Sequence, residues 1–167
     1  MTDDGLRLRF QRDDDGTGEL HASVRSQGFS GHGSAWIGAA QLEHFASALA
    51  AYPLTEEARK GLAGGYWRND RLEQVHVGLS AYPFDSAGHI GVRVLVATPV
   101  GPSDRPLSQH VTEVELQTTY HELESFSREA PGAAGGGTGG GPPAGGRAEL
   151  TLFRARRAGG RRYHPPS

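Results

Sequence analysis

Leu72-Glu-Gln-Val-His-Val-Gly-Leu-Ser-Ala81-Tyr-Pro-Phe-Asp-Ser-Ala-Gly88-His-Ile-Gly-Val-Arg-Val-Leu-Val96-Ala-Thr98 is the stretch that sets the architecture. Val75, Val77, Leu79 and Ala81 recur at every second position, and Ile90, Val92, Val94 and Val96 do the same opposite Arg93. A period of two sends alternate side chains to opposite faces, so each run reads as a strand with one apolar face. Pro83 to Gly88 supplies the turn between them. An antiparallel pair of this kind has one face that must be covered, and the neighbouring segments supply the cover.

Upstream, Leu6, Leu8 and Phe10 alternate with Arg7 and Arg9, and Leu20, Ala22 and Val24 form the returning strand. Residues 11–18 lie between them, with Asp15-Gly16 as the tight corner of a hairpin. A Gly-rich bend, Gly28 to Gly33, leads to a short apolar strand at Ala35-Trp36-Ile37. Leu42, Phe45, Ala46 and Leu49 then follow helical spacing, with Glu43, His44 and Ser47 on the other face. Pro53 stops that helix, and residues 55–60 add a short turn with Thr55 as N-cap and Gly61 as its end. Downstream, Gly101 to Pro106 is a loop and 110–118 a strand with Thr112, Val114 and Leu116 facing in. Thr119 and Glu122 have the spacing of a capping box, followed by Tyr120, Leu123 and Phe126 on one helical face. The expected fold is α+β: one antiparallel sheet of about five to six strands with two helices packed on it.

Residues 1–129 form the expected domain. Residues 130–147 are a Gly/Pro-rich flexible linker, and 148–167 an Arg-rich tail expected to be disordered, with Ala148 to Arg154 able to form one edge strand. Hydrophobic residues are 36% of the chain, a deficit concentrated in that linker, and without it the composition is that of an ordinary small domain. Residues 1–146 carry 18 acidic and 11 basic side chains, a balance of −7, and residues 147–167 carry six arginines and one glutamate, a balance of +5. There is no cysteine, which excludes disulfides and thiolate metal sites. The acidic N-terminal residues lack the apolar run of a secretory signal, no stretch approaches a membrane span, and a cytoplasmic location is expected.

No catalytic or cofactor motif stands out, and no cofactor or metal is expected. The eight histidines stand singly, without the ligand spacing of a zinc site, although His76 and His89 lie on consecutive strands. Gly28-Phe-Ser-Gly-His-Gly-Ser34 lacks the lysine of a phosphate-binding loop and the second glycine of a nucleophile elbow, and reads as a tight turn. Glu113 and Glu115 share the solvent face of a strand, with nothing apolar beside them to raise a pKa. Asp13-Asp14-Asp15 lacks calcium-loop spacing and reads as a polar turn. Tyr66, Trp67, Tyr82 and Phe84 gather near the two ends of one strand, where they either line a ligand or partner surface or cap the core at the sheet edge. The arginine tail offers weak, nonspecific contacts to nucleic acid, and no other nucleic-acid or membrane partner is expected.

Phe29-Ser-Gly-His-Gly-Ser-Ala-Trp36-Ile37 before a helix with Leu42, Phe45 and Leu49, then Gly91-Val-Arg-Val-Leu-Val, then Glu113-Val-Glu-Leu116 leading into a helix with Leu123, resembles the small bacterial WapI-type immunity proteins and related uncharacterised domains. The likeness covers residues 6–129. It implies an α+β, non-enzymatic domain, whose immunity members neutralise a toxin by binding it, and it carries over no catalytic residue. Tyr66-Trp67 and the tail have no counterpart in it. The functional expectation is therefore a protein-binding domain whose acidic body suits a basic, toxin-like protein partner. The alternative is a small hydrolase or isomerase with a histidine and a carboxylate at the sheet edge.

Overall fold

The computed structural model describes residues 4–101, 103–130 and the backbone of 147–152. Of the expected linker only Ala130 and Arg147 are described, and the tail beyond Leu152 lies outside the described residues.

The alternating segments form strands where the pattern places them, but in two sheets rather than one. β1 (Gly5–Arg12), β2 (Thr17–Ser26) and β3 (Phe29–Gly38) make an antiparallel meander. Helices α1 (Ala39–Ala50) and α2 (Glu56–Lys60) follow. A second meander comprises β4 (Leu62–Arg68), β5 (Arg71–Pro83), β6 (His89–Ala97) and β7 (Val111–Thr119), before α3 (Tyr120–Glu129). The backbone of β8 (Arg147–Leu152) then returns to pair antiparallel with β1. The first sheet therefore runs β3-β2-β1-β8 and the second β4-β5-β6-β7. The α+β class holds, but the single sheet of five to six strands with two helices becomes two four-stranded sheets with three helices. The edge strand expected at 148–154 lies at 147–152.

The inner face of the first sheet stacks Leu6, Leu8 and Phe10 against Val24, Ala22 and Leu20 in register. That of the second stacks Leu79, Val94 and Val114, and then Ala81, Val92 and Leu116. The two faces share one apolar cluster with Leu42, Phe45, Ala46 and Leu49 of α1 and Leu123 and Phe126 of α3. The helical face read from the 3.6-residue period is thus the buried one. The capping box forms as expected: Glu122 N–H donates to Thr119 Oγ1 and Thr119 N–H to Glu122 Oε2.

The bend expected over Gly28–Gly33 is instead a two-residue turn, Gln27-Gly28, both at positive φ, and β3 begins at Phe29. Gly31 and Gly33 serve a different purpose. β3 lies against all four strands of the second sheet. A Cβ on Gly33 would stand 2.3 Å from the His76 carbonyl oxygen, and one on Gly31 would overlap the Thr112 side chain. From the other sheet, a Cβ on Gly64 would come within 2.8 Å of Ala35 and Ile37. Glycine is required here because the sheets approach too closely for a Cβ, backbone to backbone at Gly33 and backbone to side chain at Gly31 and Gly64, not because the chain turns. The only buried polar side chains among the described residues are Thr118 and Ser127, so the core holds no ionisable group. No helix among the described residues is long and apolar enough to cross a membrane.

Candidate functional site: the aromatic edge of the second sheet

β4 escaped sequence reading because Leu62-Ala-Gly-Gly-Tyr-Trp-Arg68 has no clean alternation. The available signal was Asn69-Asp70, both at positive φ here, which form the two-residue turn joining Arg68 to Arg71. The pairing of β4 with β5 shifts register twice, between Gly64 and Gly65 and between Tyr66 and Trp67. Such irregularities re-aim side chains at sheet edges. After them Tyr66 stands opposite Gln74 and Trp67 opposite Leu72, 42% and 52% exposed.

Gln74 and Leu72 both line a groove of about 590 Å³ between the start of β5 and the β6–β7 loop. Its other walls are Arg71, Glu73, Val100, Gly101, Asp104, Pro106 and Gln109. The loop is held in place by side-chain amides. Gln74 Nε2 donates to the Val100 carbonyl at 2.9 Å, and its Oε1 accepts from Val100 N–H at 3.1 Å. Gln109 Nε2 donates to the Thr98 carbonyl, and Asp104 accepts from Gly101 N–H. Leu107, 90% exposed, sits in the short 3-10 turn between the groove residues Pro106 and Gln109. It was not singled out from sequence, because one leucine in a loop carries no pattern. The strand next to the groove thus carries the exposed Tyr66 and Trp67, and the loop that forms its other wall carries the exposed Leu107.

The four aromatics do not form one group. Tyr66 and Trp67 belong to this end, whereas Tyr82 pairs with Gly91 and Phe84 lies in the next hairpin. The offset of eight to ten residues along β5 is roughly 30 Å. Tyr82 lies over Gly91, where a Cβ would meet its ring at 2.6 Å, and its hydroxyl donates to Glu115. Burial, then that hydrogen bond, pushes the phenol pKa up to about 12. Glu113 is taken by Arg93 at 2.6 Å, so the two strand carboxylates have separate partners.

The histidines fall apart similarly. His76 Nε2 lies 3.2 Å from Gln74 Oε1, and burial lowers its pKa from 6.5. His89 is at the far end of the sheet, opposite Thr119. Its Nδ1 lies 2.6 Å from Asp85, whose carboxyl is held below its ordinary range first by that hydrogen bond. Both partners are well exposed, so this histidine–carboxylate pair is a surface hydrogen bond on a hairpin rather than a pocket dyad. In the Asp13–Asp15 turn, Asp15 accepts from Thr17 N–H and Oγ1. No three His, Asp or Glu side chains converge on a common point among the described residues. Comparison of the chain with models of protein families, with curated proteins and with solved structures finds no match.

Proposed function

We propose that this chain is a cytoplasmic, non-enzymatic protein-binding domain, of the immunity type its sequence resembles, which takes its partner at the groove end of the second sheet. The observation that carries the reading is the exposed Tyr66 and Trp67, paired with the groove residues Gln74 and Leu72, and the exposed Leu107 between the groove residues Pro106 and Gln109. Exposed tyrosine and tryptophan side chains are enriched among the anchors of protein interfaces, with polar groups at the rim. The −7 balance of residues 1–146 favours a basic partner, because opposite net charge accelerates encounter. A core without ionisable groups is consistent with a rigid scaffold that presents a surface. A photo-crosslinking residue in place of Leu107, in cells of the source organism, tests this. It is expected to trap a basic protein, and Trp67→Ala in the same chain to abolish the adduct. Trapping no more than a crosslinker at Glu124, exposed on α3, overturns the proposal.

A further inference from the structure

β3 crosses the second sheet strand by strand. Ala35 and Ile37 lie against Gly64 of β4, and Gly33 against His76 of β5 and Ala97 of β6. Gly31 lies against Val96 of β6 and Thr112 of β7, and the Thr112 hydroxyl donates to the Ser30 carbonyl at 3.1 Å. Phe29 comes next, on the same face of β3 as Gly31, Gly33, Ala35 and Ile37, because side chains alternate along a strand. Two residues advance a strand by about 6.6 Å, more than the roughly 4.8 Å between neighbouring strands of a sheet. Phe29 therefore reaches past β7, the last strand of the second sheet, and is 71% exposed where Ala35 and Ile37 are buried. A phenylalanine on the core-facing side of its strand thus overhangs a place that no described strand occupies.

The edge beneath it is open. Among the described residues nothing pairs with the outer side of β7, whose alternate N–H and C=O groups face away from β6. β7 keeps one register with β6 along its whole length and holds no proline, no lysine and no charged side chain facing the core. Those are the devices that usually guard a free edge. β4, at the other edge of the sheet, has its two register shifts. The core-facing Thr112 and Val114 of β7 are only half-buried, whereas Leu116 and Thr118 further along are buried. The incomplete cover lies at the end that Phe29 overhangs.

We propose that β7 takes an extended, basic segment of another protein as a fifth strand of the second sheet. An apolar side chain of that segment, opposite Thr112, then packs beneath Phe29, and its neighbours face outward beside Glu113 and Glu115. Arg93 is paired with Glu113 and stands opposite Glu115 in register, so this strip of two carboxylates and one guanidinium has a net charge of −1. Val111, Gln117 and Thr119, the other outward residues of β7, are uncharged. Arg25 pairs with Ser30 and so belongs to the opposite face of the first sheet from Phe29. Lysine or arginine at alternate positions of the incoming strand is the matching chemistry, because opposite charges across strands stabilise. A second copy fits less well, since the antiparallel register that pairs all of β7 with itself sets Glu115 against Glu115. This edge is distinct from the groove, and neither reading depends on the other.

Fluorescence anisotropy of the full chain with a labelled peptide of alternating valine and lysine, about ten residues long to match β7, tests the proposal. Saturable binding is expected, and Phe29→Ala should weaken it at least about fivefold. Glu113→Gln with Glu115→Gln should weaken it as well and reduce its dependence on salt. Trp67→Ala, beside the groove, should leave affinity within about twofold, so failure at one surface is told apart from failure at the other. Hydrogen exchange reads the strand addition itself. Bound peptide should slow every second amide of β7, those that face away from β6, by at least about tenfold. Circular dichroism verifies folding, and Phe29→Thr, a better strand former, replaces alanine if that variant unfolds. Absence of binding overturns the proposal. So do an affinity unchanged by Phe29→Ala, equal binding of a valine–glutamate peptide, and protection that falls on elements other than β7. A chain that sediments as a dimer, and as a monomer once Phe29 is replaced, overturns it in favour of a second copy.

Discussion

Replacing Gly33 with alanine tests the central packing argument. The new Cβ would stand 2.3 Å from the His76 carbonyl oxygen and 3.0 Å from the backbone nitrogen and oxygen of Ala97, where ordinary contact begins near 3.4 Å. All three atoms belong to the hydrogen-bonded backbone of β5 and β6, so no side chain can rotate away. The sheets must separate locally by about 1 Å, an overpacking strain of about 1–3 kcal/mol. Alanine's smaller freedom in the unfolded chain offsets about 0.5–1 kcal/mol of this. The net expectation is a loss of about 1–2 kcal/mol, read as a lower urea midpoint at unchanged m-value. Gly78→Ala is the matched control. Its Cβ meets Val75 at 3.4 Å and Leu95 at 3.6 Å, both ordinary contacts, and it should be neutral or stabilising by up to about 1 kcal/mol. Gly31→Ala should fall between the two, because its obstacles are the side chains of Thr112 and Val96 rather than backbone, and Thr112 can turn with loss of its bond to the Ser30 carbonyl. A Gly33→Ala protein as stable as Gly78→Ala would refute the claim that the sheets meet backbone to backbone.

Tyr82 should ionise at about pH 12 in a spectrophotometric titration, in a step absent from Tyr82→Phe, and Glu115→Gln should lower that value only in part, because burial is the larger cause. A second titration concerns His76. Its depressed folded-state pKa means that the unfolded chain binds the proton more readily, so its contribution to stability is present above pH 6.5 and is lost as pH falls through the folded value. Urea midpoints of His76→Gln should therefore depend less on pH below 6.5 than those of the parent, and parallel profiles would contradict this. Gln74→Leu removes both side-chain bonds to Val100 and strands its N–H and C=O, a cost of about 1–3 kcal/mol. Hydrogen exchange at the Val100 amide should accelerate at least about tenfold, and an unchanged rate would show that the loop is held by other contacts.

Local pattern sufficed for the elements whose cause is local. The alternation of β1, β2, β5, β6 and β7, the apolar stripe of α1 and the Thr119–Glu122 box all follow from which positions share a face or reach a free N–H, and they lie where that reading puts them. Alternation says which side chains point together but not which strands pair, so the division into two sheets was decided by long-range packing. The glycines of β3 do not by themselves tell a bend from a close approach, because a residue without a Cβ serves both equally well. Two glycines interrupt the alternation of β4 and hide it from a period-two reading, and the length of β5 sets Tyr66 and Trp67 roughly 30 Å from Tyr82 and Phe84. The groove depends on side chains of β5 and of the β6–β7 loop meeting across the sheet, an arrangement that tertiary structure alone specifies.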